Sequence, residues 1–345
     1  MGRVVIITGE YPPVIGGIGD YTSQLMNTEE AKSWILFYKK RWNVLFLFKY
    51  IHELLKLKPD YIFMQYPARG YAWSFSPYLL SAVFSLFTKI TFIPVLHEYS
   101  QLHFIRKMQM NLILFTAKKI IVTNSFEKEA VINKNKKLED KIKIIKILSN
   151  TNPFASQKNL QERYYDIAYF GLISRNKGIE VFIDVVEKYK HIKHDLRSVI
   201  IGGFPNTKAF RRYSDCINNL ANDNGIETIL NKPLSDISKL LNDTKILLLP
   251  FPDGCSERRG SYISGLKAGC VVITRKGEYT TDAMFKSAFF SDDAESIIKN
   301  IDKVLFNMTE KNYIEYQNNV KSYLSTEFPL SWNEIAKEYS IYCHE

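Results

Sequence analysis

Short uninterrupted apolar runs alternate along this chain with longer stretches in which apolar side chains return at helical spacing. The runs at residues 4–8, 61–65, 91–96 and 120–123 read as strands buried on both faces. Helical spacing follows the glycine turn at residues 16–19 and covers residues 49–58, 77–88 and 106–117. A lysine-rich stretch, residues 133–146, leads through Ser149-Asn150-Thr151-Asn152-Pro153 into a polar segment that ends near Arg163, and this reads as a linker. The alternation restarts with strands at residues 167–170, 198–201, 246–249 and 271–274 and a helix over residues 178–188. Strands that alternate with helices in this way predict a parallel sheet covered on both faces. Two such α/β domains are expected, residues 1–155 and 156–328, and a length of 345 residues accommodates both.

Neither of the most apolar segments, residues 44–48 and 78–87, approaches the roughly 20 apolar residues of a membrane-spanning helix. The apolar run after Arg3 covers only residues 4–7, so no signal peptide is expected. Cysteines at 216, 255, 270 and 343 lack metal-binding spacing and are too few for a disulfide scaffold, which suits a reducing cytoplasm. The net charge of +10 lies entirely in residues 1–155, with 21 Lys+Arg against 11 Asp+Glu, while the remainder balances at 25 of each. The first domain is therefore expected to face something anionic: nucleic acid, an anionic membrane surface or a phosphate-bearing acceptor. Nucleic acid fits worst, because no zinc-finger spacing or ribonucleoprotein aromatic signature is present. Lysines that only solubilise an aromatic-rich domain are the plain alternative. Over residues 43–58, Leu45, Phe46, Phe48, Tyr50, Leu54 and Leu55 interleave with lysines, a pattern that fits an interfacial helix and a core-facing helix equally.

Three strand-to-helix turns carry chemistry. In the segment FPDGCSERRGSYISGLKAGCVVIT, residues 251–274, a loop, a helix and a buried strand follow one another. Arg258 and Arg259 stand before Gly260 and Ser261. Glycine lets the backbone approach a ligand closely, small polar residues open a helix whose free amides face an anion, and guanidiniums add forked donors for phosphate oxygens. An ordinary surface loop with two solvated arginines is the alternative. The turn at residues 171–178 places Arg175 and Lys177 just ahead of Gly178, where an ammonium either reaches a phosphate or stays solvated. The first turn brings Gly16, Gly17 and Gly19 behind the first strand. Its crowded glycines and two prolines fail the G-x-G-x-x-G fingerprint, which makes a nicotinamide dehydrogenase a remote reading. His97 closes the strand at residues 91–96, where open α/β sheets bind ligands, and histidine ordinarily titrates near neutral pH. A hydrogen-bonded interior histidine is the alternative.

Several motifs, taken in order, resemble those of the bacterial GT-B glycosyltransferases of the large retaining family, the family 4 or group 1 type. They are YPPVIGGIGDYTSQL near the start, VLHEY at 95–99, VTNSFEKE at 122–129, FGLISRNKGIEVFI at 170–183, DGCSERRGSYISGLKAGCVVIT at 253–274 and the terminal PLSWNEIAKEYSIY. The resemblance covers nearly the whole chain. It implies two Rossmann-like, doubly wound parallel-sheet domains facing a cleft, the first for the acceptor and the second for the nucleotide sugar. It also implies that residues 329–345, a helix around Trp332, pack back on the first domain. The implied reaction is a hexosyltransferase-type transfer with retention, without metal or other cofactor. The donor is a nucleotide sugar and the acceptor a lipid-linked or oligosaccharide intermediate of surface polysaccharide such as O-antigen or capsule. The implied location is cytoplasmic, peripheral on the inner face of the membrane. Catalysis would fall to His97, Lys177 and Arg259. The donor would meet Gly16 and Gly17 of the first turn, Arg175 and Lys177 of the second, and the segment Ser256, Glu257, Arg258, Arg259, Gly260, Ser261 with Ser264.

Departures from the family pattern are informative. Two glutamates that many relatives carry fall here at Ser256 and Ser264, with Glu257 one residue out of register. An arginine that relatives often carry five residues before the turn lysine falls at Leu172. The chain resembles instead a subgroup with RRGS at the helix entrance, in which Arg258 and Arg259 take over the phosphate. The missing glutamates also keep open a second class of function, a catalytically silent GT-B domain that binds a glycan or a partner enzyme.

Overall fold

The run Val4–Thr8 forms strand β1 with all its residues buried, as a parallel strand covered on both faces requires. In the computed structural model it belongs to the first of two units, Met1–Ile147 with Pro329–Glu345, the second being Leu148–Phe328. The structure describes residues 2–14, 16–151, 158–193, 196–204 and 208–345. Ile15 of the glycine turn, the linker residues 152–157 with the 155/156 boundary read from the sequence, and His194 lie outside the described residues.

After β1 the first unit continues through α1 (Gly17–Met26), β2 (Ile35–Tyr38), α2 (Leu47–Lys56), β3 (Tyr61–Tyr66), α3 (Ser76–Phe87) and β4 (Thr91–Leu96). It goes on through α4 (Phe104–Thr116), β5 (Ile120–Val122), α5 (Ser125–Lys134) and β6 (Ile142–Ile144). The strands are parallel in the order β2-β1-β3-β4-β5-β6. Right-handed crossovers put α2 to α5 on one face and α1, whose connection runs the other way, on the opposite face. The stretch at residues 133–146, which reads as leading into a linker, contains the edge strand β6. The helix-like run at residues 43–58 is a 3-10 turn, Val44–Phe46, followed by α2, which buries Leu47, Tyr50 and Leu54 and leaves Leu45, Phe48 and Leu55 exposed.

The second unit runs β7 (Tyr165–Leu172), α6 (Ile179–Ile192), β8 (Ser198–Gly203), α7 (Lys208–Asp223), β9 (Glu227–Leu230) and α8 (Leu234–Asn242). It continues with β10 (Thr244–Leu249), α9 (Gly260–Lys267), β11 (Val271–Thr274), β12 (Phe289–Phe290), α10 (Ala294–Phe306) and α11 (Glu310–Glu327). Its parallel sheet has the order β12-β11-β10-β7-β8-β9. Arg163, at the end of the segment read as polar linker, is fully buried; its guanidinium donates to the carbonyls of Thr244 (2.9 Å) and Ala268 (3.3 Å) and to the Tyr313 hydroxyl (2.8 Å).

The last helix, α12 (Trp332–His344), lies beside α1 in the first unit. Its Tyr339 shares a 3.0 Å hydrogen bond with Tyr21 and packs its ring 4.9 Å from that of Phe63. Among the described residues no helix is long and apolar enough to cross a membrane.

Candidate functional site

In the second sheet β7 and β10 are neighbours whose onward connections diverge, β7 to β8 on one side and β10 to β11 on the other. Doubly wound sheets bind ligands at the carboxyl ends of such a pair. Two turns meet there. Gly178 ends the turn after β7 with φ +82°, and a Cβ on it would lie 2.1 Å from the Pro250 carbonyl oxygen at the end of β10. Only glycine combines that left-handed backbone with so close an approach. Tyr169, buried in β7, donates its hydroxyl to the Lys177 carbonyl (3.2 Å) and so holds the same turn from beneath. Arg175, exposed, sets its guanidinium 5.7 Å from the Tyr213 ring, and Tyr213 in turn donates to Glu180.

The loop from Pro250 to Arg259 is stiffened by backbone packing against the segment after β11. Gly254, at φ +80°, would carry a Cβ 2.3 Å from Gly277, and a Cβ on Gly277 would lie 2.1 Å from the Asp253 carbonyl oxygen. Cys255 N–H donates to the Arg275 carbonyl (2.9 Å) and Thr280 Oγ1 to the Cys255 carbonyl (2.7 Å). On this support Arg259 stacks 4.4 Å over Phe251 and donates Nη2 to both carboxylate oxygens of Asp253 at 2.5 Å. Arg258 lies 5.2 Å from the Tyr279 ring centroid. Gly260 and Ser261 then open α9, and helix geometry leaves its first amides without intrahelical acceptors. Ser256 Oγ and Arg259 Nε are buried and have no hydrogen-bond partner among the described residues. Cationic side chains, free helix amides and buried donors in one turn make a surface suited to a diphosphate.

Not every residue singled out from the sequence joins that surface. Ser264 is fully buried; its Oγ donates to the Gly260 carbonyl (2.8 Å) and bonds the hydroxyls of Ser149 and Thr151. This hydroxyl cluster fastens the chain entering the second unit to α9. Glu257 is buried as well, where its charge helps raise the Tyr323 phenol above its ordinary range, after burial itself.

The first sheet has its own switch, between β1 and β3. A Cβ on Gly16 would fall 1.3 Å from Glu10 Oε1, so a side chain there would displace that carboxylate. Glu10 Oε2 accepts from Arg69 N–H (3.3 Å) and pairs with Arg69 Nε at 3.9 Å. Burial raises the Glu10 carboxyl, and burial together with the Glu10 charge pushes Asp20 up to about 6. Gly17 is exposed, and a Cβ there would meet nothing within 4 Å. His97, at the end of β4, is buried, hydrogen-bonded through Nε2 to Gln65 Oε1 (2.7 Å) and met edge-on by Tyr21 at 4.8 Å. Burial lowers its pKa to about 3, so this ring stays neutral at pH 5, where an ordinary histidine is charged. With Nε2 donating to Gln65, Nδ1 carries the acceptor lone pair.

Asp253, Tyr169, Gln65, Glu10 and Asp20 are contributors that the sequence reading passed over. Asp253, six residues before Arg259, and Glu10, six residues before Gly16, each share a turn with the residue they meet. Gln65 reaches His97 through the register of β3 beside β4. Among the described residues no group of three or more His, Cys, Asp or Glu is placed to hold a metal ion.

Residues 150–321, nearly all of the second unit, match the family model described as glycosyl transferases group 1. No curated protein matches the chain. Sucrose-phosphate synthase from Thermosynechococcus elongatus superposes with a TM-score of 0.75 at 15% identity, covering 100% of this chain and 98% of the other. A glycosyltransferase from Rickettsia africae gives 0.68 at 16% identity, covering 99% and 98%. The Anabaena protein HepE, solved with UDP and glucose, gives 0.70 at 12% identity, covering 99% and 100%. At these identities the likeness shows the fold: the chain has the two-sheet α/β architecture of its GT-B neighbours.

Proposed function

We propose that this chain is a glycosyltransferase whose second unit holds a nucleotide-diphosphate sugar and whose first unit receives the acceptor. The observation that carries the reading is the junction of the Lys177 turn with the Arg258–Arg259 loop at the switch of the second sheet, inside the segment that matches group 1 glycosyl transferases. The neighbours bound to UDP and to ADP are consistent with a nucleoside diphosphate there.

Chemistry follows from charge. As the bond between the sugar carbon and the phosphate oxygen breaks, negative charge grows on the departing diphosphate. Arg258, Arg259, Lys177 and the first amides of α9 supply fixed positive potential for it. These cations suffice in principle for a transfer without metal. Retention is accounted for by front-side attack: the acceptor oxygen bonds to the sugar carbon on the side the diphosphate leaves, and the acceptor proton passes to the leaving phosphate oxygen. His97 then acts as a neutral positioning group, its Nδ1 accepting a sugar hydroxyl, instead of as an obligatory base. A hexose is the expected sugar, and a lipid-linked intermediate of surface polysaccharide the expected acceptor. The basic first unit supports peripheral association with the inner face of the cytoplasmic membrane, since each basic residue near an anionic surface contributes about 1 kcal/mol.

Serines in place of the expected glutamates favour one other reading, a silent module that binds a glycan or a partner. Thermal unfolding with nucleoside diphosphates separates the two. At a hundred times the dissociation constant a ligand stabilises its unit by about 2.7 kcal/mol. The transferase reading requires a shift with at least one nucleoside diphosphate, and no shift with any member of a full panel supports the silent module.

A further inference from the structure

Strands β2, β3 and β4 run parallel, so the helices that follow them, α2, α3 and α4, all begin at one edge of the first sheet, the edge that bears His97. The three helices are neighbours on one face. Around their starts, large apolar side chains stand in solvent: Leu45 and Phe48 are each 83% exposed, Trp73 61%, Phe104 64% and Met108 65%. Trp73 is held outward by Arg106, whose guanidinium stacks 4.5 Å from its ring and donates to the Ala72 carbonyl at 2.8 Å. Lys40, Arg41 and Lys49 are exposed on the same rim, and Lys107 borders it.

Charge identifies what covers this surface. From Lys39 to Phe126 the chain has 12 Lys+Arg and three acidic residues. Asp60 and five of the cations, Lys56, Lys58, Lys89, Lys118 and Lys119, lie at the opposite edge, and Glu53 is paired with Lys39 (2.7 Å) and Lys49 (4.0 Å), which leaves seven cations and Glu98 toward this edge. Aromatic and aliphatic side chains interleaved with cations, almost without anions, match the boundary between acyl chains and anionic headgroups. We propose that the amino-terminal ends of α2, α3 and α4 form the surface that docks on an anionic lipid bilayer. This rests on the membrane association proposed above, narrows it from the basic first unit to a rim of three helices, and places the bilayer beside His97.

The same helices provide their own control, because Leu86, Phe87 and Phe115 are also exposed but sit at the far ends of α3 and α4. Flotation of the full chain with vesicles of phosphatidylcholine, alone or mixed with phosphatidylglycerol, at low and high salt, tests the assignment. Wild type floats with the mixed vesicles and less so in salt. The variants L45S/F48S and W73S/F104S/M108S each lower the bound fraction at least tenfold with an unchanged melting curve, while L86S/F87S/F115S floats like wild type. Tryptophan emission shifts to the blue on binding, and W73F removes most of that shift, because Trp34 and Trp42 are buried and Trp332, in α12 beside α1, packs its ring 5.1 Å from Tyr21. Rim variants that float normally, or a far-end variant that loses as much, overturn the face while leaving the membrane reading intact. Equal flotation with neutral vesicles overturns the anionic occupant. No flotation of wild type overturns both the face and the membrane reading, and a rim-dependent dimer in its place identifies a second copy as the occupant.

Discussion

His97 is buried and Arg259 half-buried, and each is held by a partner. Burial acts on the His97 ring and lowers its pKa to about 3. The unfolded chain binds a proton at this position below the ordinary value near 6.5. Between about pH 6.5 and 3 the unfolded state therefore holds more protons, and the folded state loses stability as pH falls through that window. H97Q, which keeps a hydrogen-bonding side chain but cannot titrate, is expected to lose less stability than wild type when urea unfolding is compared at pH 7 and pH 5. Parallel losses in the two proteins would show that the ring is solvated. Arg259, by contrast, is held in place by Asp253, which accepts from it, and by Phe251, which lies under it. A phosphate arriving there meets a guanidinium already fixed in direction.

Glycines set the geometry of the turns, and two of them make a matched test at the scale of the element. Gly178 joins β7 to α6 with φ +82° and touches the end of β10, whereas Gly17 opens α1 with open space where a Cβ would go. G178A should destabilise the second unit by about 1–3 kcal/mol and weaken nucleoside-diphosphate binding, since the turn must move off Pro250. G17A should stay within about 0.5 kcal/mol of wild type. Equal effects of the two changes in urea unfolding would show that the Gly178–Pro250 contact is not a constraint.

The same scale shows what the sequence made legible. Strands β1, β4 and β11 stand at the bounds read from their apolar runs, because a strand covered on both faces needs no polar position. The strands that escaped notice, β2, β6, β9 and β12, are the four edges of the two sheets. Edge strands are short and half-covered, and in β6 Lys143 stands between Ile142 and Ile144 and reaches Glu345. At the site, the arginines, the lysine and the glycines were legible because a strand-to-helix turn writes its requirements locally. Ser149 with Thr151 enclosing Ser264, and Gln65 bonding His97, were not, for folding alone brings those partners together.

At the scale of the whole molecule the charge separates with the functions proposed. The net positive charge lies in the first 155 residues, and the rest, which includes the diphosphate turns, is neutral overall. Attraction to an anionic surface thus acts on the unit assigned to the acceptor and not on the one assigned to the donor. The most direct test of the whole account is release of nucleoside diphosphate when the purified protein meets a panel of nucleotide sugars, with and without membrane lipid extract. The account predicts turnover with at least one donor, stimulated by lipid, and a fall in kcat/KM of roughly a hundredfold in R259A, the loss of one contact of about 3 kcal/mol in the transition state. Turnover with no donor under either condition, or R259A as active as wild type, would contradict it.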